Sequence, residues 1–101
     1  MNYTCLFHPL TQQDYNEAYT WYEEKQKGLG ERFLTAFRKK IEEIALNPEA
    51  YGSRSKKKFR EAHLDFFPYL IVYKINKRDK VIYISSIHHT KKHPTKKYRK
   101  K

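Results

Sequence analysis

A chain of 101 residues with 22 Lys and Arg against 11 Asp and Glu, a formal charge of +11, is one domain with room for a single modest core. Its longest apolar run, Phe66 to Tyr73, contains a proline and is too short to cross a bilayer. With no secretory or lipidation signal visible at its start, a cytoplasmic protein without membrane contact is expected. The lone cysteine, Cys5, has no intramolecular disulfide partner and sits in an apolar, strand-like segment. That suits a small core residue better than a nucleophile.

In chain order, residues 2–7 alternate weakly and carry enough Tyr, Thr, Cys and Phe for a first strand, ended by His8-Pro9. Thr11 is placed to cap a helix beginning near Gln12, with Asp14 in the first turn, where an acid suits the positive end of the helix dipole. Tyr15, Ala18, Tyr19 and Tyr22 recur at three- and four-residue spacing and define an aromatic face, with Trp21 at its edge. Lys27-Gly28-Leu29-Gly30 breaks that helix, Gly28 being suited to a left-handed C-terminal cap.

A second helix is predicted from about Glu31 to Leu46, with Phe33, Leu34, Phe37, Ile41, Ile44 and Ala45 forming one buried stripe. Asn47-Pro48 stops it, since the residue before proline is biased away from helix. Residues 49–57 read as a loop, and the sheet begins from Lys58. Pro68 fits the start of a strand, Tyr69 to Tyr73 and Val81 to His89 are rich in Tyr, Ile and Val, and residues 76–79 make the polar turn between them. The sum is an α+β fold in the order β-α-α-β-β-β, a helical hairpin on a four-stranded, mainly antiparallel curled sheet.

The positive charge is unevenly spread. Residues 91–101 hold seven of the 22 basic residues and no acid, and a second cluster comprises Arg54, Lys56, Lys57, Lys58 and Arg60. Such clusters imply a polyanionic partner such as nucleic acid, a ribosome or an acidic protein segment, set against the blander reading of a solvated face and a frayed tail. The domain is expected to span residues 1–94, with 95–101 as a basic tail.

Asp14-Tyr15, Glu17-Ala18 and Trp21-Tyr22 on the first helix, Gly28-Leu29-Gly30 followed by Phe33, and Asn47-Pro48 with Tyr51 together resemble the RelE/ParE superfamily of bacterial toxins. Phe59-Arg60, then Phe67-Pro68-Tyr69-x-Ile71-x-Tyr73, and the Ile87-x-His89 … Pro94 ending extend the resemblance over nearly the whole chain. It implies the βααβββ fold and the toxin half of a type II toxin–antitoxin module, of the kind also called plasmid stabilisation proteins. Such a toxin is usually neutralised in a hetero-oligomer by an acidic antitoxin encoded beside it. RelE-like members cleave mRNA, often on the ribosome, whereas ParE-like members block DNA gyrase and are not nucleases.

Metal-independent RNA cleavage needs a group to deprotonate the 2′-hydroxyl, one to protonate the leaving oxygen, and cations on the phosphate. His89 has the intrinsic pKa for the first tasks and is the histidine at the family position. Arg60, Lys91 and Lys92 are the cations for phosphate, Arg60 with bidentate geometry, and Tyr98 is able to stack on a base. Against each stands a plainer role, such as a surface ion pair of Arg60 with Glu61 or Asp65.

No metal site is expected from His88, His89 and His93, because adjacent strand imidazoles diverge, and no cofactor is implied. His63 reads as a surface residue, and Tyr69, Tyr73 and Tyr83 as packing residues. The resemblance breaks at Leu70, where the nucleases carry an arginine, and Lys91-Lys92 replaces their arginine-rich loop without guanidinium geometry. That departure favours the gyrase-blocking branch. The alternatives are a RelE-like endoribonuclease or a degenerate member that binds antitoxin without toxicity.

Overall fold

The computed structural model describes residues 3–52 and 59–91. Five elements make the first part of the fold: β1 (Thr4–Phe7), α1 (Thr11–Lys25), α2 (Leu29–Leu46), a 3₁₀ turn at Pro48–Ala50 and β2 (Arg60–His63). A hairpin of β3 (Tyr69–Asn76) and β4 (Val81–His89) completes it. The sheet order is β1-β4-β3-β2. The β2–β3 and β3–β4 pairs are antiparallel, whereas β1 runs parallel to β4, so the sheet is mixed.

Both helices lie on one face of the sheet. Ala18 and Tyr22 of α1 and Phe33 and Ile44 of α2 close over Ala62, Ile71, Tyr73, Ile82, Ile84 and Ile87. Tyr15, Phe33, Phe37, Phe67 and Tyr69 pack around them as tilted and edge-on rings with centroids 5.3 to 5.9 Å apart, the geometry that aromatic quadrupoles favour. Cys5 is half-buried against this core, and burial pushes its thiol pKa up, away from nucleophilic use. The helical tyrosines pack as the sequence pattern implied.

The helix hairpin departs from expectation at its joint. Gly28 is left-handed, at φ +90°, but it precedes α2 rather than closing α1, which ends at Lys25 with Gln26 as its cap. α2 starts at Leu29 because the Glu23 carboxylate reaches across the turn. It accepts the N–H of Gly28 at 3.0 Å and of Gly30 at 2.9 Å, occupying donors that a helix start leaves unpaired. These hydrogen bonds hold the Glu23 pKa below the usual carboxylate value.

Thr11 is likewise not a cap. The residue before α1 is Leu10, whose N–H donates to His8 Nδ1 at 3.0 Å, and Thr11 is a buried first-turn residue. Its hydroxyl makes a long contact, 3.5 Å, to the Ser85 carbonyl.

That carbonyl belongs to an irregularity in the sheet. Val72 pairs with Ser86 while Tyr73 pairs with Ile84, leaving Ser85 as an extra residue in β4. A bulge of one residue reverses the alternation of faces beyond it. Ile82 and Ile84 face the helices before the bulge, and Ile87 and His89 do so after it. Leu70 and Val72 point the other way, forming a second apolar cluster with Phe59. Pro68 stands immediately before β3. In the β3–β4 turn Asn76 Oδ1 accepts the Asp79 N–H at 3.0 Å, and Lys80 adopts φ +57°. No helix of the described residues is long and apolar enough to cross a membrane.

Candidate functional site

The bulge at Ser85 decides which of two adjacent histidines faces the helices. His88 is turned away and buried, 6 % exposed, opposite Leu70. His89 is half-buried on the helix side, its ring edge-on to Tyr69 at 5.0 Å. Its Nδ1 accepts the Lys91 N–H at 3.0 Å. A neutral imidazole accepting at Nδ1 carries its proton on Nε2, so His89 in this state is a donor there rather than a base.

His89 opens into a cleft of about 560 Å³ between α1 and the His89 end of the sheet. Asp14, Glu17 and Trp21 supply one wall from successive turns of α1; Tyr69, Ile87 and Lys91 are among the residues of the other. The wall is fixed by contacts that bind helix to sheet. Asp14 Oδ2 accepts the Ile87 N–H at 3.2 Å, and the Thr90 N–H donates to the Pro68 carbonyl at 2.9 Å. Trp21 is about half exposed, with the Lys25 ammonium 4.8 Å from its ring centroid. Burial, followed by Tyr22 and Glu17, raises the Tyr69 pKa. Among the described residues the cleft holds two carboxylates beside one lysine and one imidazole.

Arg60 is elsewhere. Its Nη1 donates to the Tyr51 carbonyl and, at 3.4 Å, to that of Glu49. Tyr73, its register partner on β3, donates its hydroxyl to the Pro48 carbonyl at 2.6 Å, and Lys77 pairs with Glu49 at 2.7 Å. Together they clamp the 3₁₀ turn onto the sheet.

The surface ion pair with Glu61 or Asp65 weighed for Arg60 is replaced by these carbonyl contacts; Asp65 pairs instead with Lys39 and Lys40. Arg60 lies opposite Tyr73 and His89 opposite Tyr69, on strands flanking β3. The two side chains therefore start about 13 Å apart along the sheet and about 10 Å apart across it. The register does not bring the two candidate catalytic residues together.

Leu70 is 4 % exposed inside the Phe59–Val72 cluster. Lys91 is exposed at the cleft mouth and His63 is exposed on β2. Arg54, Lys56, Lys57, Lys58, Lys92 and Tyr98, together with His93 and the 95–101 tail, lie outside the described residues. Sequence reasoning did not assign Asp14, Glu17 and Trp21 to a site. Their spacing places them on one side of α1, but only the sheet topology shows that His89 faces them.

Compared with known families, residues 5–94 match the ParE toxin of type II toxin–antitoxin systems, parDE. No curated protein sequence matches the chain. Among solved structures, the chromosomal ParDE system from P. aeruginosa superposes with a TM-score of 0.75 at 13% identity, covering 88% of this chain and 97% of that one. The toxin–antitoxin complex RelBE2 from Mycobacterium tuberculosis gives 0.66 at 16%, covering 88% and 99%. The isolated E. coli RelE toxin gives 0.66 at 18%, covering 92% and 89%. At these identities the structural likeness speaks for the fold alone.

Proposed function

The chain belongs to the ParE toxin family of type II toxin–antitoxin systems, and from that premise we propose that it arrests growth by binding DNA gyrase rather than by cutting RNA. The observation that carries this reading is the separation of His89 from Arg60. Phosphodiester cleavage needs proton transfer and phosphate stabilisation at one point, and the Arg60 guanidinium is committed to backbone carbonyls far from the imidazole. The buried Leu70, in place of the nucleases' arginine, and the Asp14 and Glu17 carboxylates beside His89 support the same reading. An antitoxin partner in a hetero-oligomer is part of it, since a chain of charge +11 favours an acidic segment folding onto it.

The test is a brief induction without antitoxin, with new RNA 5′ ends mapped and plasmid supercoiling followed in parallel. Growth arrest with intact RNA, altered supercoiling and full toxicity of His89→Ala is expected. New RNA ends that vanish in His89→Ala would replace this reading with the ribonuclease one. Absence of any arrest would leave an antitoxin-binding protein without toxicity.

A further inference from the structure

β1 forms one edge of the sheet and pairs on its inner side with β4. The Thr4 N–H donates to the Lys80 carbonyl and the His8 N–H to that of Ile84, both at 2.9 Å. The even-numbered residues thus turn their backbone groups toward β4 and the odd-numbered ones turn theirs outward. On that outer side the Tyr3 N–H donates to the Ala45 carbonyl near the end of α2, at 3.4 Å, and Pro9 has no N–H to offer. Cys5 and Phe7 lie between these two stops. Among the described residues their outward N–H and carbonyl groups have no partner.

Exposed strand edges are ordinarily guarded by charged side chains, lysine above all. This edge is not guarded. In a chain of charge +11, no Lys, Arg, Asp or Glu precedes Asp14. The Lys80 ammonium, beside the first residue of the strand, is laid over the Tyr3 ring, 5.2 Å from its centroid. Apolar side chains gather here instead: Leu6 and Phe7 on the strand, Leu10 just after it and Leu46 next to Ala45, each exposed. From Cys5 to Phe7 a charged partner finds no opposite charge, whereas an uncharged strand finds both backbone and apolar surface.

We propose that β1 pairs with β1 of a second copy of this chain, antiparallel, about a two-fold axis through Leu6. The two sheets then join into one. In that register Cys5 of each copy stands opposite Phe7 of the other as a hydrogen-bonded pair, so the outward groups left over on both edges are used. Leu6, whose own backbone faces β4, meets its counterpart as a close non-hydrogen-bonded pair. Tyr3 falls opposite Pro9, where no bond is needed, and Leu46 of one copy comes toward Leu10 of the other.

The same stops argue for a second copy over a foreign strand. A longer strand would run into Ala45 at one end and Pro9 at the other, whereas β1 carries matching stops at matching places, as an isologous contact requires. Covering these side chains and the strand backbone on both copies removes on the order of 1,000 Å², the lower bound for a specific interface. The dimer is therefore weak, in the micromolar range. Salt tightens it, because the +11 charge of each chain is repulsive and becomes screened. The pairing holds whichever target the toxin blocks.

The test is sedimentation equilibrium of the full-length chain at low and high salt, for wild type and Leu6→Lys, with denaturation midpoints measured alongside. A lysine at the exposed Leu6 position leaves the monomer folded but meets its twin on the axis, so the dissociation constant is expected to rise tenfold or more. Register is read by mild oxidation in a Cys5→Ser background. Leu6→Cys is expected to give a disulfide-linked dimer and Thr4→Cys none, because Thr4 falls opposite His8. A wild-type chain that stays monomeric up to about 0.1 mM overturns the proposal. So does a dimer that withstands Leu6→Lys or comes apart in high salt, and so does Thr4→Cys cross-linking as readily as Leu6→Cys.

Discussion

Asp14 of α1 accepts the backbone N–H of Ile87 at 3.2 Å, joining the first helix to the strand that carries His89 immediately after the bulge. A hydrogen bond from a partly buried N–H to a charged acceptor contributes about 1.5–3 kcal/mol. Asp14→Ala is therefore expected to lower the unfolding free energy by about 2 kcal/mol in urea titrations. Asp14→Asn keeps an acceptor oxygen and should lose less than half of that. Equal losses in the two variants would mean that charge, not the acceptor, is what matters.

At Gly30 a Cβ would come within 2.9 Å of Glu23 Oε1 and 3.0 Å of the Tyr19 ring. Alanine is ordinarily favoured over glycine inside a helix by about 1 kcal/mol. Here that gain is outweighed, because the clash displaces the carboxylate that caps α2. Gly30→Ala is expected to destabilise by about 1–3 kcal/mol, with Gly52→Ala, where a Cβ meets nothing within 4 Å among the described residues, as the control. Thermal unfolding of both variants checks the pair.

The Glu23 pKa lies below its ordinary 4.5, first through the Gly28 N–H, then the Gly30 N–H. A carboxyl with a depressed folded-state pKa stabilises above its unfolded pKa, and the contribution is lost as pH falls through the folded value. Glu43, held down by Lys40, and Glu49, held down by Lys77, act in the same direction. The urea midpoint is expected to be flat down to about pH 5 and to drop below it. In Glu23→Gln that acid drop should be shallower, and an unchanged profile would remove Glu23 from the account.

Arg60 and Tyr73 secure the same 3₁₀ turn, through the Glu49, Tyr51 and Pro48 carbonyls. A lysine ammonium lacks the planar guanidinium that carries Nη1 to both the Glu49 and Tyr51 carbonyls. Arg60→Lys and Tyr73→Phe are each expected to cost about 1–2 kcal/mol of stability. Because the two residues share one turn, the double variant should cost less than the sum. Growth arrest by Arg60→Lys should persist at temperatures where the variant is folded. Lost toxicity with undiminished stability would return Arg60 to a direct functional role.

Periodicity in the sequence was enough for both helices, for the two long strands and for the order β-α-α-β-β-β, because helical and strand spacing reports which side chains share a face locally. The aromatic stripe from Tyr15 to Tyr22 and the stop at Asn47-Pro48 are legible for that reason. Thr11 misled because the helix starts one residue earlier than its hydroxyl implied: Leu10 precedes α1 and its carbonyl accepts the Asp14 N–H, so Thr11 is already a buried residue of the first turn. The candidate site was legible only in pieces. His89 was visible as an ionisable residue at a strand end, whereas its neighbours Asp14, Glu17 and Trp21 come from a helix more than sixty residues away.

By itself, then, the sequence determined the elements, the excess of positive charge and the resemblance to a toxin family, all consequences of residue type and short-range spacing. The tertiary structure alone decided that β1 joins β4 in parallel and that Ser85 is the extra residue which turns His89, not His88, toward the helices. It also decided that Arg60 spends its donors on a turn, and that Phe66 rather than Phe67 stands in water. Each of these depends on strand register and on backbone partners far apart in the chain. A one-residue shift in pairing reverses every face beyond it, with no trace in local composition.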